Sequence, residues 1–132
     1  MIDKTNDVTC NWSCTFDMPW PHPKLSPNAR EHWTTVSRLK RGYRARCRTI
    51  GQAAGVQVLA GSKNRVCVHL TFFPPDKRAR DADNMLAAMK SGLDGLADAM
   101  GVDDSKWRVS FEVAEESVKG GVVFVQVKEE VK

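Results

Sequence analysis

Apolar and polar residues alternate along the first segment of the chain. Between residues 9 and 18 every second position is apolar, namely Cys10, Trp12, Cys14, Phe16 and Met18. A period of two predicts a half-buried β-strand with these side chains on its core-facing side. The spacing of the two cysteines suggests a zinc site, but no second Cys or His pair completes a set of ligands. We therefore interpret them as core residues.

A long helix is predicted after the proline-rich loop PWPHPKLSP. It begins either at Ser26, which is followed by Pro27, or at Asn28, where Glu31 three positions further on would complete a capping box. The helical pattern continues to about residue 53, and the glycines around Gly55 then interrupt it.

The second half of the chain predicts one strand, one helix and two more strands. Segment 64–73 is apolar on both faces, so we expect it at the centre of its sheet. Segment 84–100 predicts a helix with one apolar stripe, which we assign to the core. The stripe comprises Met85, Met89, Leu93, Leu96 and Met100. Alternation returns in WRVSFEVA and, after the turn SVKGG, in VVFVQV.

The order of these elements is β-α-β-α-β-β, without a repeat or a linker. It predicts an α+β fold, a single domain over residues 1–132 in which helices pack on one mixed β-sheet. A chain of 132 residues, 42% of them apolar, is long enough for one core.

The N-terminal segment MIDKTNDVTC lacks the apolar region of a signal peptide. No apolar run approaches the ~20 residues of a membrane span. We therefore expect a cytoplasmic protein with no membrane partner, in which the four cysteines are reduced.

Basic residues are concentrated on the predicted first helix. Between Arg30 and Arg48 there are seven basic residues and one acidic residue, although the whole chain has a net charge of only +4. A helix face that is merely solvated usually mixes both signs, whereas a local excess of one sign is typical of a surface that faces phosphates. We therefore expect nucleic-acid binding here, with a solvated face that binds nothing as the alternative.

Acidic residues lie at both ends of the predicted second helix, directly after a basic loop. Asp81 and Asp83 precede the helix, and Asp103 and Asp104 follow it. In a purely structural account, Asp83 caps the helix and the later pair forms a turn, while Asp81 has no capping role. The helix separates the pairs by roughly 25 Å, so they meet only if the chain returns alongside it.

If the two acidic pairs meet, their carboxylates form a site for a hard divalent cation, of which Mg²⁺ fits best. Such an ion activates water and stabilises the departing oxygen of a phosphodiester. A basic surface that holds DNA beside an acidic site that cuts it is typical of a nuclease, although the D-x-D motif alone is weak evidence.

The ordered set RDADN, a lysine within the helix, LDGL and GVDDS resembles the RusA family of Holliday-junction resolvases, especially its phage and prophage members. LSPNAREHW also resembles the phage branch, and the similarity runs from about residue 15 to residue 128. The resemblance implies a RusA-like homodimeric endonuclease of a bacterial or phage-infected cell. Such an enzyme depends on Mg²⁺, for which Mn²⁺ substitutes, and resolves four-way DNA junctions by symmetric nicks in two strands.

The resemblance also assigns roles to individual residues. The three metal-binding aspartates of the family fall on Asp81, Asp83 and Asp104. Candidates for DNA contact are Lys77, Arg78 and Arg80 in the basic loop and Asn28, Arg30, Arg38, Arg41 and Arg44 around the first helix.

The catalytic lysine departs from the family pattern. In better-known members a lysine follows the second aspartate by four positions, but this chain has Ala87 there and its lysine, Lys90, three positions later. Lys90 lies on the same helix face as Asp83 and is therefore our catalytic candidate. Its alternative role is a surface ion pair with Asp94.

Three other functions fit the same residues. A protein that binds branched DNA without cutting it would keep the basic surface and need no metal. A nuclease that acts on flaps or forks would use the same aspartates. A small interaction protein without a nucleic-acid role would show no salt-sensitive DNA binding.

Overall fold

The elements follow one another in the predicted order, with the second helical segment divided in two. The computed structural model describes residues 14–27, 29–60 and 65–130. The strands are β1 (Cys14–Pro19), β2 (Arg65–Phe73), β3 (Trp107–Val113) and β4 (Val122–Glu130). The α-helices are α1 (Trp33–Ala54), α2 (Ala82–Ala88) and α3 (Lys90–Met100). Three short 3-10 helices occupy Pro23–Leu25, Val56–Leu59 and Asp104–Lys106.

The four strands form one mixed sheet in the order β1-β4-β2-β3. β4 is antiparallel to both of its neighbours, whereas β2 and β3 are parallel. A parallel pair needs a crossover connection, and α2 and α3 lie between β2 and β3 in the chain. The prediction of an α+β domain with a mixed sheet is confirmed, as is the interior position of β2.

The core lies where the helices pack on one face of the sheet. In β2 it contains the alternate residues Val66, Val68, Leu70 and Phe72, each at most 1% exposed. All five residues of the predicted helical stripe are buried in the same cluster. Cys14 is buried there as well, which confirms the interpretation for this cysteine, while Cys10 lies outside the described residues.

Helix α1 begins later than the sequence pattern predicts. The chain first forms a 3-10 helix at Pro23–Leu25, and α1 starts only at Trp33. Its N-cap is His32, whose ring Nδ1 accepts a hydrogen bond from the backbone N–H of Thr34 at 3.2 Å. The start predicted at Ser26 is therefore wrong, because an imidazole makes the capping bond six residues later; Asn28 is outside the described residues. The helix ends as predicted, with Gly55 in the left-handed conformation.

Helices α1 and α3 pack very closely, because two glycines of α3 face α1. A Cβ added to Gly92 would come within 2.6 Å of the Tyr43 ring. A Cβ added to Gly95 would overlap the backbone carbonyl of Arg44. This contact fixes the basic helix against the segment that carries the acidic residues.

The predicted helix over 84–100 is interrupted at Met89. The backbone N–H of Met89 bonds to the carbonyl of Leu86, three residues back, which tightens the turn between α2 and α3. Met89 itself is fully buried, and the Tyr43 hydroxyl lies 3.2 Å from its sulfur. The apolar stripe therefore continues through the interruption.

No helix among the described residues is both long enough and apolar enough to cross a membrane.

Candidate functional site

Asp81, rather than Asp83, caps the second helical segment. Its Oδ1 accepts a hydrogen bond from the backbone N–H of Asp83 at 3.0 Å. The capping role that the sequence analysis gave to Asp83 is therefore wrong. Asp83 lies in the first turn, where the helix dipole favours a negative charge. Both side chains belong to exposed residues and remain accessible to a ligand.

The chain returns alongside α3, which the sequence analysis left open. Helix α3 ends at Met100, and Gly101 adopts the left-handed conformation with φ +78°. The following residues run back towards the start of the helix. Asp104 reaches Lys90 there, with its Oδ2 2.6 Å from the lysine Nζ.

Lys90 pairs with two carboxylates at once. Its Nζ also donates to Oδ1 of Asp94 at 2.8 Å. These bonds, first to Asp104 and then to Asp94, raise the pKa of Lys90 above its ordinary value. The predicted surface pair with Asp94 is therefore present, but it is not the whole environment of the lysine, whose side chain is still 61% exposed.

The two adjacent aspartates have different tasks. Asp103 is a turn residue: its Oδ1 accepts from the backbone N–H of Ser105 at 3.2 Å and caps the 3-10 helix. This backbone bond lowers the pKa of the Asp103 carboxyl below its ordinary value. Asp104 instead points to Lys90, so it is the member of the pair that can join a site on the helix.

The three predicted metal ligands do not converge as a closed cluster. Within the part of the chain that the structure describes, no group of three or more His, Cys, Asp or Glu side chains could hold a metal ion. Asp104 lies at Lys90, which is seven positions, or about two helical turns, beyond Asp83. The chemistry of the donors nevertheless suits Mg²⁺, which is commonly bound by one or two carboxylates together with water and substrate phosphate.

The basic loop before α2 is held together by Asp76. Its Oδ1 accepts from the backbone N–H of Arg78 and from Nη1 of Arg80, both at 2.9 Å. The guanidinium of Arg80 also lies over the Trp20 ring, 5.9 Å from its centroid. Arg80 therefore stabilises the loop, whereas the side chains of Lys77 and Arg78 extend from exposed residues.

The predicted DNA-contact arginines of α1 and of the segment before it divide into paired and unpaired ones. Arg44 makes a two-pronged ion pair with Asp98 of α3, at 2.7 and 2.9 Å. Arg41 donates to the Ser37 hydroxyl at 3.2 Å. Arg30 and Arg38 belong to exposed residues, and no ion pair joins either of them to another described residue.

A groove of about 860 Å³ connects these elements, and no pattern in the sequence predicted it. Its walls are residues 19–25, the middle of α1 and the start of α2. Trp20, Tyr43 and Met85 give it an apolar interior, while four arginines and Asp81 also line it. The walls of the groove come from segments far apart in the chain, so no local pattern predicts it. The proline-rich loop with its tryptophan is the one local feature that could have indicated it.

The described residues thus define a class of protein: an α+β domain with a four-stranded mixed sheet, in which a groove lined by arginines reaches an acidic helix start. No family model matches the chain. A protein of Xylella fastidiosa (strain Temecula1 / ATCC 700964), described only as an uncharacterized protein, is 39% identical over 106 residues, which are 80% of this chain and 69% of that protein. The chain belongs to the family of this protein.

Proposed function

We propose that the protein is a RusA-like, Mg²⁺-dependent endonuclease that resolves four-way DNA junctions. The observation that carries the proposal is the contact between Asp104 and Lys90. It shows that the chain returns along α3, so that the acidic residue after the helix approaches the segment that starts with Asp81 and Asp83.

In this proposal Asp81, Asp83 and Asp104 would hold Mg²⁺, for which Mn²⁺ could substitute. When bound, the ion supplies a Lewis acid that activates water and stabilises the departing oxygen of the phosphodiester. Asp81 can contribute while it caps α2, because only its Oδ1 is engaged in the capping bond and a carboxylate has a second oxygen.

Lys90 would bind the scissile phosphate. An ammonium group has three N–H donors, and the two ion pairs use two of them. The third donor is available to a phosphate oxygen. The ammonium of Lys90 is charged at neutral pH, so it can offset the negative charge that develops as the phosphodiester breaks.

Arg30, Arg38, Lys77 and Arg78 would hold the DNA backbone. These side chains extend from exposed residues on α1, the segment before it and the basic loop. Phosphate contacts give affinity without reading the sequence, so selection would come from the shape of the junction. A homodimer would present one acidic site to each of two strands, which suits the two-fold outline of a four-way junction.

The test is cleavage of a synthetic four-way junction with Mg²⁺ and with a chelator. We expect paired nicks in the presence of Mg²⁺ and intact DNA in the chelator. Fork, flap and duplex substrates of equal length serve as controls, because a flap or fork nuclease would cut these faster than the junction. The proposal fails if Asp81→Asn, which keeps a capping side chain, cuts the junction like the parent.

The absence of a closed carboxylate cluster in the described residues favours a second candidate, a protein that binds branched DNA without cutting it. This candidate predicts tight, salt-sensitive junction binding and no nicks with either Mg²⁺ or Mn²⁺. The same assay therefore separates the two functions.

A further inference from the structure

We propose that the groove between residues 19–25 and α1 receives one unstacked nucleobase of a DNA strand. This inference deepens the proposed endonuclease function and rests on it for the identity of the strand. It gives a binding role to Trp20, Tyr43 and Met85 in the apolar interior of the groove, which are neither metal ligands nor phosphate contacts in that proposal.

The size and lining of the groove suit a flat organic group. Its volume of about 860 Å³ lies within the range of small-molecule sites and exceeds the needs of a single base. Trp20 and Tyr43 are the aromatic members of its lining, with the Arg80 guanidinium over the Trp20 ring, and Leu39 and Met85 are aliphatic members. Every base has a π-face that stacks on aromatic side chains, so such a lining binds bases without a strong sequence preference.

The aromatic wall is rigid. Trp20 packs edge-on against Phe72 of the core, with the ring centroids 5.9 Å apart and an interplanar angle of 81°. Gly121 lies so close to Trp20 that an added Cβ would approach the indole to 2.8 Å. The Tyr43 hydroxyl donates to the carbonyl of Pro19 at 2.6 Å, which ties α1 to the end of β1. A preformed wall loses little conformational freedom when a base binds.

The charges around the groove fit a nucleotide rather than an apolar peptide. Arg38 and Arg46 line it from α1, and Arg78 lines it from the basic loop. An apolar interior combined with guanidinium groups matches a base attached to a phosphodiester, because each phosphate carries the opposite charge. Asn84 also lines the groove, and its amide offers both a donor and an acceptor to the edge of a base.

The position of Asp81 connects the groove to the cleavage site. Asp81 lines the groove and is one of the proposed metal ligands. A base inserted there would place its own or a neighbouring phosphate near the acidic start of α2. Enzymes that do chemistry on a base extrude the nucleotide in this way, and extrusion costs least for a base that is already unpaired.

Gly42 allows a direct test by filling the groove. It lies in the wall formed by α1, and a Cβ added there would meet no atom within 4 Å. Gly42→Phe should therefore fold and occupy the space of the base. Gly42→Ala is the control for loss of the glycine, and Ala45→Phe adds the same ring at an exposed position of α1 outside the groove.

The first measurement is a titration of the ¹⁵N-labelled full chain in chelator with 2′-deoxynucleoside 5′-monophosphates. We expect saturable shifts of the Gly42 amide and the Trp20 indole signals. Inorganic phosphate at equal concentration should shift neither signal. Equal responses to nucleotide and phosphate, or no response to the nucleotide, would overturn the proposal.

The second measurement is the affinity for a short single-stranded oligonucleotide. Gly42→Phe should weaken binding about tenfold or more, the effect of losing one base–aromatic stack. Ala45→Phe should bind within about twofold of the parent, and Gly42→Ala, which adds only a methyl group, should bind more tightly than Gly42→Phe. If Gly42→Phe binds like these controls, no base enters the groove.

Junction cleavage by the parent separates this proposal from the proposed function. Cleavage without a nucleotide response at Gly42 leaves the endonuclease intact and refutes the base site. A nucleotide response that Gly42→Phe abolishes, in a protein that cuts no junction, establishes the base site and refutes the endonuclease.

Discussion

Near α2 and α3, aspartates that are close in the chain have different roles: some cap a helix, and others remain available to a ligand. Asp103 caps a 3-10 helix, whereas its neighbour Asp104 contacts Lys90. Asp81 caps α2 through one oxygen, and Asp83 stays exposed in the first turn. Single substitutions should therefore separate the proposed ligands from their structural neighbours.

Replacing any proposed metal ligand with asparagine should abolish cleavage. We expect Asp81→Asn, Asp83→Asn and Asp104→Asn each to bind a four-way junction at least as tightly as the parent, because they remove negative charge near phosphate. The measurements are single-turnover cleavage in Mg²⁺ and junction binding in chelator. Asp103→Asn is the matched control and should keep more activity than Asp104→Asn; substantial cutting by any of the three removes that residue from the site.

Lys90→Ala should lower the single-turnover cleavage rate about 10²–10³-fold. One well-placed charge that acts on the transition state is worth roughly 2.7–4 kcal/mol, and each 1.36 kcal/mol corresponds to tenfold. Lys106→Ala removes an exposed lysine near Asp104 in the chain and should change the rate less than about threefold. If Lys90→Ala cuts like Lys106→Ala at saturating Mg²⁺ and junction, Lys90 is only a surface ion pair.

At the scale of elements, the contact between α1 and α3 positions both charged surfaces. Gly95 lets the helices approach until the backbone of Arg44 lies against it. Arg44 and Asp98 then close the contact at its edge with a two-pronged ion pair. The basic helix and the acidic segment therefore form one unit.

Gly95→Ala should destabilise the protein by about 1–3 kcal/mol, because the added methyl group forces the two backbones apart. Gly42→Ala in the exposed part of α1 should instead stabilise it by about 0.5–1 kcal/mol, since alanine favours the helix and meets no neighbour there. Urea unfolding of both variants and the parent measures the difference. Equal midpoints for the two variants would show that the helices do not pack at Gly95.

The Arg44–Asp98 pair should make a small contribution to stability that depends on pH. The guanidinium lowers the pKa of Asp98 below its unfolded value of 3.8. A carboxyl with a lowered folded pKa stabilises the protein above the unfolded pKa, and this contribution is lost as the pH falls through the folded value. Asp98→Asn should therefore unfold at slightly lower urea than the parent at pH 7 and at the same urea near pH 2. A difference that persists unchanged at acidic pH would contradict the assignment.

At the scale of the whole molecule, charge rather than area governs the proposed interaction with DNA. The groove joins the basic helix to the basic loop, because residues of both line it. The hydrogen bond from Tyr43 to Pro19 holds α1 against this groove. Each cation that contacts a phosphate releases counterions from the DNA.

The logarithm of the association constant for a four-way junction should fall linearly with the logarithm of the salt concentration. Arg38→Ala or Lys77→Ala should each reduce the slope by about one unit, because each removes one phosphate contact. Arg108→Ala is the control: this arginine lies on strand β3 and pairs with Glu130 at 2.9 Å. Binding isotherms at four salt concentrations measure the slopes. Equal slopes for all variants would exclude α1 and the loop from the interface.

The sequence alone determined the order of the strands and helices and the buried faces of β1, β2 and the helical stripe, whereas Val109 and Val113 on the apolar face of β3 are exposed. The alternation in β1 and the apolar stripe through Met85 and Met100 follow from burial, because buried positions recur at the period of the strand or the helix. The basic excess on α1 was equally readable, since charge is a property of composition.

Only the tertiary structure decided the start of α1, the capping role of Asp81 and the approach of Asp104 to Lys90. Several side chains compete for each helix cap, and small differences in local geometry select His32 and Asp81. The meeting of Asp104 with Lys90 depends on the direction that the chain takes after Gly101, and the groove depends on segments far apart in sequence. Such contacts leave no periodic pattern, because they arise only when the packed elements bring distant residues together.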